Sequence, residues 1–276
     1  MPLSINTNIA SLTAQRSFLN SNSALETAFE RLSTGKRINS ASDDAAGLAI
    51  ATELNSRVSG LNQAVRNVND GISMVQIMEG TYDEVTSILQ RMRDMAVQAA
   101  NGSLSSAEKV YLDTEHTTLV SAINSAIDQA TFSNIDLATD GSTASVVIQT
   151  GANTGDRVTI TLATQSAANA TAIGVGGIET YVSASSTTVI GLIDAAIGVV
   201  ASQRATLGAQ QAQLESTVRN LSNVAENTAA AAGRIMDTDY AAETANLTKA
   251  QILQQAATSV LAQANAQPQA VLALLQ

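Results

Sequence analysis

The sequence predicts a mainly α protein: a long coiled-coil rod, terminal helices and a small β-hairpin insert. Three observations predict it. Proline occurs only at Pro2 and Pro268, so the strongest helix breaker is missing from nearly the whole chain. Two long stretches carry apolar residues at alternating spacings of three and four, which is the seam of a coiled coil. The apolar mass is small and aliphatic, with 3 Phe, 4 Tyr and no Trp in 276 residues. The burial that aromatic side chains bring to an ordinary globular core must come here from close helix-to-helix packing.

At the N-terminus Ile5, Ile9, Leu12 and Leu19 form a narrow stripe among Ser, Asn and Thr. Isolated helices of this polarity are marginal in water because nucleation costs more than a few turns return. The same holds for the last 36 residues, where Leu253, Val260 and Leu261 are followed by Val271, Leu272, Leu274 and Leu275. Ordering of both ends is expected to wait for a partner. Pro268 is expected to interrupt the helix there, leaving Val271, Leu272, Leu274 and Leu275 as an assembly tail outside the fold of the monomer.

The first rod helix is expected over 44–100, with Ser42 or Asp43 as cap, Asp44 in the first turn and Asn101-Gly102 as stop. Its seam runs Leu54, Val58, Leu61, Val65, Val68, Ile72, Val75, takes one extra step of three to Met78, and resumes at Tyr82, Val85, Leu89, Met92, Ala96. At 1.5 Å per residue this helix would be roughly 85 Å long, far beyond the diameter of a compact domain of this length; hence the expectation of a rod. Ser105 and Glu108 open a shorter helix to about Ala130. Between Asp136 and Ser186 the composition turns to Thr, Ser, Gly and Val. There SVVIQT (145–150) and RVTITL (157–162) alternate with period two about a Gly-containing loop and predict a β-hairpin. The second seam runs from Ile193 to Ile235 through Val200, Leu207, Leu214, Val218 and Leu221, interrupted by Arg204 and Gln211, polar residues of the kind that fix register.

A net charge of −10 argues against nucleic acid and anionic membrane surfaces as partners, since both demand a basic patch. With no Cys and a single His, His116, there is no thiolate nucleophile and no His-based metal or acid/base constellation. No catalytic residue, metal or cofactor is expected. The N-terminus has neither a basic start nor an apolar run of signal-peptide length, and no stretch reads as membrane-spanning. Composition alone places such a chain in the cytoplasm.

Glu115 and His116 adjoin, but adjacent helical residues point apart, so a solvated helix face is the expectation. Asp43-Asp44 reads as charge at a helix N-terminus in preference to a metal carboxylate pair. Met74, Met78, Met92 and Met95 stand at helical spacing and read as core or subunit contact in preference to a binding groove.

The segment LSTGKRINSASDDAAGLAIATELNSRVSGLNQAVRNVNDGISMVQIMEG (32–80) resembles the N-terminal signature of bacterial flagellins. INTNIASL (5–12), LQRMRDMAVQAANGS (89–103), LGAQQAQLESTVRNLSNV (207–224) and YAAETANLTKAQILQQAATSVLAQANAQPQAVLALL (240–275) are similar to further parts of that family's pattern. The resemblance implies a structural subunit that polymerises with copies of itself into the extracellular flagellar filament, and an antiparallel rod, because the chain ends must return together. It implies terminal helices at 1–43 and 233–276 as the inner assembly domain, a rod domain of 44–135 and 187–232, and a variable insert at 136–186 including the hairpin. It further implies secretion by a type III apparatus without a cleaved leader, which reverses the cytoplasmic expectation. Partners implied in the same way are an export chaperone, junction and cap proteins, and the animal flagellin receptor. Arg91 and Glu115 match the family's receptor surface and protofilament contacts, and Met95 stands on that surface where the family's pattern usually has Leu. A hook-filament junction protein of the same axial family is the alternative reading.

Overall fold

The computed structural model describes residues 8–137, 145–161 and 186–273. The chain forms two compact units, residues 57–226 and residues 1–56 with 227–276. In order, the elements are α1 (Ile9–Thr34), α2 (Ala45–Ala99), α3 (Ser106–Asp128), β1 (Thr131–Phe132), β2 (Ile135–Asp136), β3 (Ser145–Gln149), β4 (Arg157–Thr161), α4 (Ser186–Met236) and α5 (Tyr240–Ala273).

In the unit of residues 57–226, both heptad seams close on one core. Leu61, Val68, Val75, Met78, Tyr82, Val85, Leu89, Met92 and Ala96 of α2 are buried in one cluster with Ile193, Val200, Leu207, Leu214 and Leu221 of α4, while Val65 and Val218 pack at its edge. Charged pairs give the direction. Arg204 reaches Asp83 at 2.9 Å and Arg93 reaches Asp194 at 2.6 Å, so ten positions forward on α2 are ten back on α4. The helices are antiparallel, as the returning chain requires. Gln211, expected to help fix register, instead donates along its own helix to Glu215 at 3.1 Å.

The N-terminal signals of α2 need one correction. Neither Ser42 nor Asp43 caps it. Asp44 does, its Oδ1 accepting the Gly47 N–H at 2.9 Å while its carbonyl accepts from Leu48. Asp43 closes the preceding turn, accepting from the backbone N–H groups of Ser40 and Asn39 at 2.9 and 3.1 Å. These bonds to its charged form, Ser40's first, hold its carboxyl below the usual Asp range. The α3 start is the reciprocal capping box expected from its sequence: the Glu108 N–H donates to Ser105 Oγ, and the Ser105 N–H to Glu108 Oε2.

The hairpin β3–β4 pairs antiparallel in the register Ser145 with Thr161 through Gln149 with Arg157. Its inward residues Ile148 and Ile160 join the core, and small residues on α2 admit it. A Cβ on Gly71 would stand 3.0 Å from Ile160, one on Gly60 would stand 3.1 Å from Ala152, and Asn67 Nδ2 donates to the Gln149 carbonyl at 3.3 Å. A second ribbon, β1–β2, was not expected from the sequence. Its turn carries Ser133 and Asn134 at positive φ (47° and 68°), without the glycine that usually announces such a turn.

Candidate functional site

The terminal helices find their partner within the chain. In the unit of residues 1–56 with 227–276, α1 packs along α5 in antiparallel sense: Asn8 meets Ala264, Asn22 meets Gln254 and Arg31 meets Glu243. Alanines sit at the centre of the seam. Ala250, Ala257 and Ala264, seven apart, are buried on α5 against buried Ala14 and Ala28 on α1. Seven residues are close to two helical turns, so these alanines form one line, and side chains this small let two backbones approach closely. The partner each end was expected to wait for is the other end, and half-buried Phe18, Leu25 and Leu32 on α1 and Leu247 and Leu261 on α5 flank the alanines along the seam.

Most of the aliphatic residues of the expected stripes are left outside. Ile9 is 69% exposed and Leu12 55%, and Leu19, Ile252, Leu253 and Val260 are exposed as well. On a helical wheel Ile9, Leu12 and Leu19 fall on the side of α1 away from Ala14 and Ala28. Leu261 departs from the expected stripe and lies half-buried on the seam line between Ala257 and Ala264. Ile5, Leu274 and Leu275 lie outside the described residues. Val271 and Leu272 fall within α5, with side chains outside the description.

Pro268 does not end α5, which continues to Ala273. A proline deprives the carbonyl four residues earlier of its helical donor, here Ala264. Asn8 Nδ2 donates to that oxygen at 2.7 Å, while Asn8 Oδ1 caps α1 by accepting the Ser11 N–H at 3.0 Å. The break expected at Pro268 is offset by this borrowed donor.

The segments joining these helices to the longer ones are tied together. Lys36 and Asp237 form an antiparallel bridge, Arg37 N–H donates to the Met236 carbonyl at 2.6 Å, and the Arg37 guanidinium donates to Ile235 at 2.8 Å. Gly35 closes α1 at φ 70°, and a Cβ there would stand 2.8 Å from the Tyr240 hydroxyl. Conformation demands glycine there; the Tyr240 hydroxyl, the tip of an exposed side chain, can shift.

A second candidate surface lies in the unit of residues 57–226. Arg91 of α2 and Glu115 of α3, 24 residues apart in sequence, meet as an exposed ion pair: Nε donates to Glu115 Oε1 at 3.0 Å, and a terminal guanidinium nitrogen donates to the same oxygen. Met95, expected on this surface, is 6% exposed and belongs to the core cluster. One turn beyond Arg91, it flanks the α2 seam positions Met92, Ala96 and Ala99, which are buried with it in the same cluster. His116 is likewise buried, against the expectation of a solvated face, whereas its neighbour Glu115 keeps its carboxylate at the surface.

Among the described residues no group of three His, Asp or Glu side chains is placed to hold a metal. Tyr82 carries the one strongly displaced proton among the described residues. Its ring is fully buried in the α2 seam, its hydroxyl has no hydrogen-bond partner, and burial pushes its pKa up to about 12.

Comparison with known proteins gives the same outline. Residues 5–143 match the family described as the bacterial flagellin N-terminal helical region, and residues 190–275 the bacterial flagellin C-terminal helical region. A protein named flagellin from Halalkalibacterium halodurans is 42% identical over 274 residues, covering 99% of each chain. The flagellar filament 33 kDa core protein of Treponema phagedenis is 39% identical over 287 residues, again covering 99% of each. Among solved structures, Bacillus cereus flagellin is similar at TM-score 0.50 and 27% identity over 60% of this chain and 94% of that one. A putative flagellar hook-associated protein from Vibrio parahaemolyticus is similar at TM-score 0.59 over 71% of this chain and all of its own, at 17% identity, a likeness of fold alone.

Proposed function

This chain belongs to the bacterial flagellin family and is a structural subunit of the flagellar filament, and from that premise we propose that its α1–α5 pair is the element through which copies join. The observation that carries this is the division of labour between the two faces of these helices. Alanines, flanked by half-buried Phe18, Leu25, Leu32, Leu247 and Leu261, hold α1 to α5, and Ile9, Leu12, Leu253 and Val260 are turned to solvent. Burying one such side chain stabilises by roughly 1.5 to 3 kcal/mol, so a few per subunit shift a polymerisation equilibrium by orders of magnitude. In this reading residues 1–43 and 233–276 are the assembly domain, 44–135 and 187–232 the body that carries lateral contacts, and 136–186 a variable insert. Val271, Leu272, Leu274 and Leu275 extend the assembly surface.

Arg91 and Glu115 offer a charged lateral contact, or a recognition surface for the animal receptor, with buried Met95 supporting it from beneath. Secretion proceeds through a type III route, with an export chaperone holding the terminal segments and junction and cap proteins bounding the polymer. The hook-filament junction alternative has no comparable support, because the hook-associated likeness concerns the fold alone.

The test is truncation after Gln267. Electron micrographs should then contain no filaments, while the thermal transition of the rest of the chain stays within about 0.5 kcal/mol of the full-length value. Assembly at the full-length critical concentration would overturn the reading.

A further inference from the structure

We propose that Asn101-Gly102, in the turn between α2 and α3, is a self-modifying site that converts to aspartate and isoaspartate in water and so leaves a covalent record of each subunit's age. The proposal is independent of the assembly reading above.

Asn101 is followed by glycine at the only Asn-Gly pair in the chain. Both residues are exposed. The glycine is not needed for the fold: its φ is not in the positive region, and a Cβ there would meet nothing within 4 Å. What glycine does supply is a backbone nitrogen open to its preceding side chain. Among the described residues the Gly102 N–H donates to no group, so no hydrogen bond must break before this nitrogen reacts.

The acceptor is also in place. The Ser103 N–H donates to Asn101 Oδ1 at 3.3 Å, folding the side-chain amide back over its own backbone. That donor polarises the Cγ–Oδ1 bond and stabilises the negative charge that develops on Oδ1 when Cγ is attacked, as a positioned backbone amide does in an oxyanion hole. The flanking turn is anchored, with Asn101 N–H donating to the Gln98 carbonyl at 3.1 Å and Leu104 N–H to the Asn101 carbonyl at 3.3 Å.

A solvent base removes the Gly102 amide proton, and the nitrogen attacks Asn101 Cγ, forming a new N–C bond. The Cγ–Nδ2 bond then breaks and the nitrogen leaves as ammonia after taking a proton from water. The resulting five-membered imide is opened by one water molecule at either carbonyl. Opening at the side-chain carbonyl restores the normal backbone with an aspartate. Opening at the backbone carbonyl gives isoaspartate, which lengthens the main chain by one methylene. The net change is amide plus water to carboxylic acid plus ammonia, with no oxidant or cofactor. Either product puts a negative charge beside the C-terminal end of α2, where the helix dipole disfavours it, and close to the acidic start of α3 at Glu108.

The experiment uses the full-length protein, aged at 37 °C in mildly alkaline ammonia-free buffer and cut with trypsin. Cleavage after Arg93 and Lys109 isolates the peptide carrying Asn101 as its only asparagine. The expected result is first-order loss of that peptide into two products, isoaspartate and aspartate, with matching ammonia release and a rate that rises with hydroxide concentration. Gly102→Ala should slow the loss roughly tenfold or more, because the added Cβ raises the barrier to attack. The same peptide made synthetically serves as the unfolded reference, and the folded protein should convert at least as fast. An intact Asn101 over the time in which the free peptide converts would overturn the proposal, as would an unchanged rate in Gly102→Ala.

Discussion

The side-chain amide of Asn8 donates to the carbonyl oxygen of Ala264 at 2.7 Å, the one acceptor in α5 that Pro268 leaves without its helical donor. One residue thus caps its own helix and repairs the other. This sets the register of α1 on α5 at one end, and Arg31 beside buried Glu243 marks the other.

Asn8→Asp keeps an oxygen to cap α1 but loses the donor to Ala264, and should cost about 1 kcal/mol or more from the unpaired carbonyl. Asn8→Ala loses the cap too, adding about 1 kcal/mol. In a Pro268→Ala background the Ala264 carbonyl regains a helical donor, so the Asn8→Asp cost should largely vanish. Circular dichroism melts of the four proteins check this; equal costs in both backgrounds would contradict the linkage.

Arg204 interrupts the α4 seam to reach Asp83, with Glu79 at 4.0 Å. The pair is partly exposed, so its coupling should be small, about 0.2 to 1 kcal/mol in a double-mutant cycle of Arg204→Met with Asp83→Asn. The coupling should fall with added salt. A cycle giving no coupling at low salt would assign the register to the apolar residues alone.

Tyr82→Phe should leave stability unchanged or raise it by about 1 kcal/mol, because it removes a buried hydroxyl with no partner. The wild-type phenol also has a pH signature. Its folded pKa, near 12, lies above the unfolded value near 10, so the folded state holds the proton more tightly. That contribution is complete below pH 10 and is lost as pH rises through 12, about 2 to 3 kcal/mol in all. Absorbance titration should find tyrosinate forming at Tyr82 near pH 12, and Tyr82→Phe should flatten the alkaline loss of stability.

Leu12→Asn changes an exposed residue and should leave the melting of the monomer within about 0.5 kcal/mol while raising the critical concentration for assembly. Ala257→Leu should do the opposite to the monomer: added methylenes in the close alanine seam cost about 1 to 3 kcal/mol. If Leu12→Asn unfolded the terminal pair, the assignment of its face to assembly would fail.

Helix content, the two heptad seams, the reciprocal cap of α3 and the hairpin were legible in the sequence, because each is written at short range in spacing or turn chemistry. Leu61, Val68, Leu214 and Leu221 stand where a period of three and four puts them. The α1–α5 seam was harder to see, since alanine carries little hydrophobic signal and the eye follows Ile9 and Leu12 instead; the recurrence of Ala250, Ala257 and Ala264 was the available clue. Ser133 and Asn134 hid the β1–β2 turn because they adopt positive φ without glycine.

Only the tertiary structure decided what depends on distant pairing. Composition cannot tell that Met95 is inside and Arg91 outside, that Asp44 and not Asp43 caps α2, or that the helix runs on through Pro268. Each of these is settled by a partner far along the chain or by a competing hydrogen bond nearby: Glu115 for Arg91, the Ser40 turn for Asp43, Asn8 for the carbonyl that Pro268 orphans. Local pattern fixes which elements form, because it acts through backbone geometry and side-chain period. Which faces of those elements stay open to another copy is settled only when every buried group has found its partner.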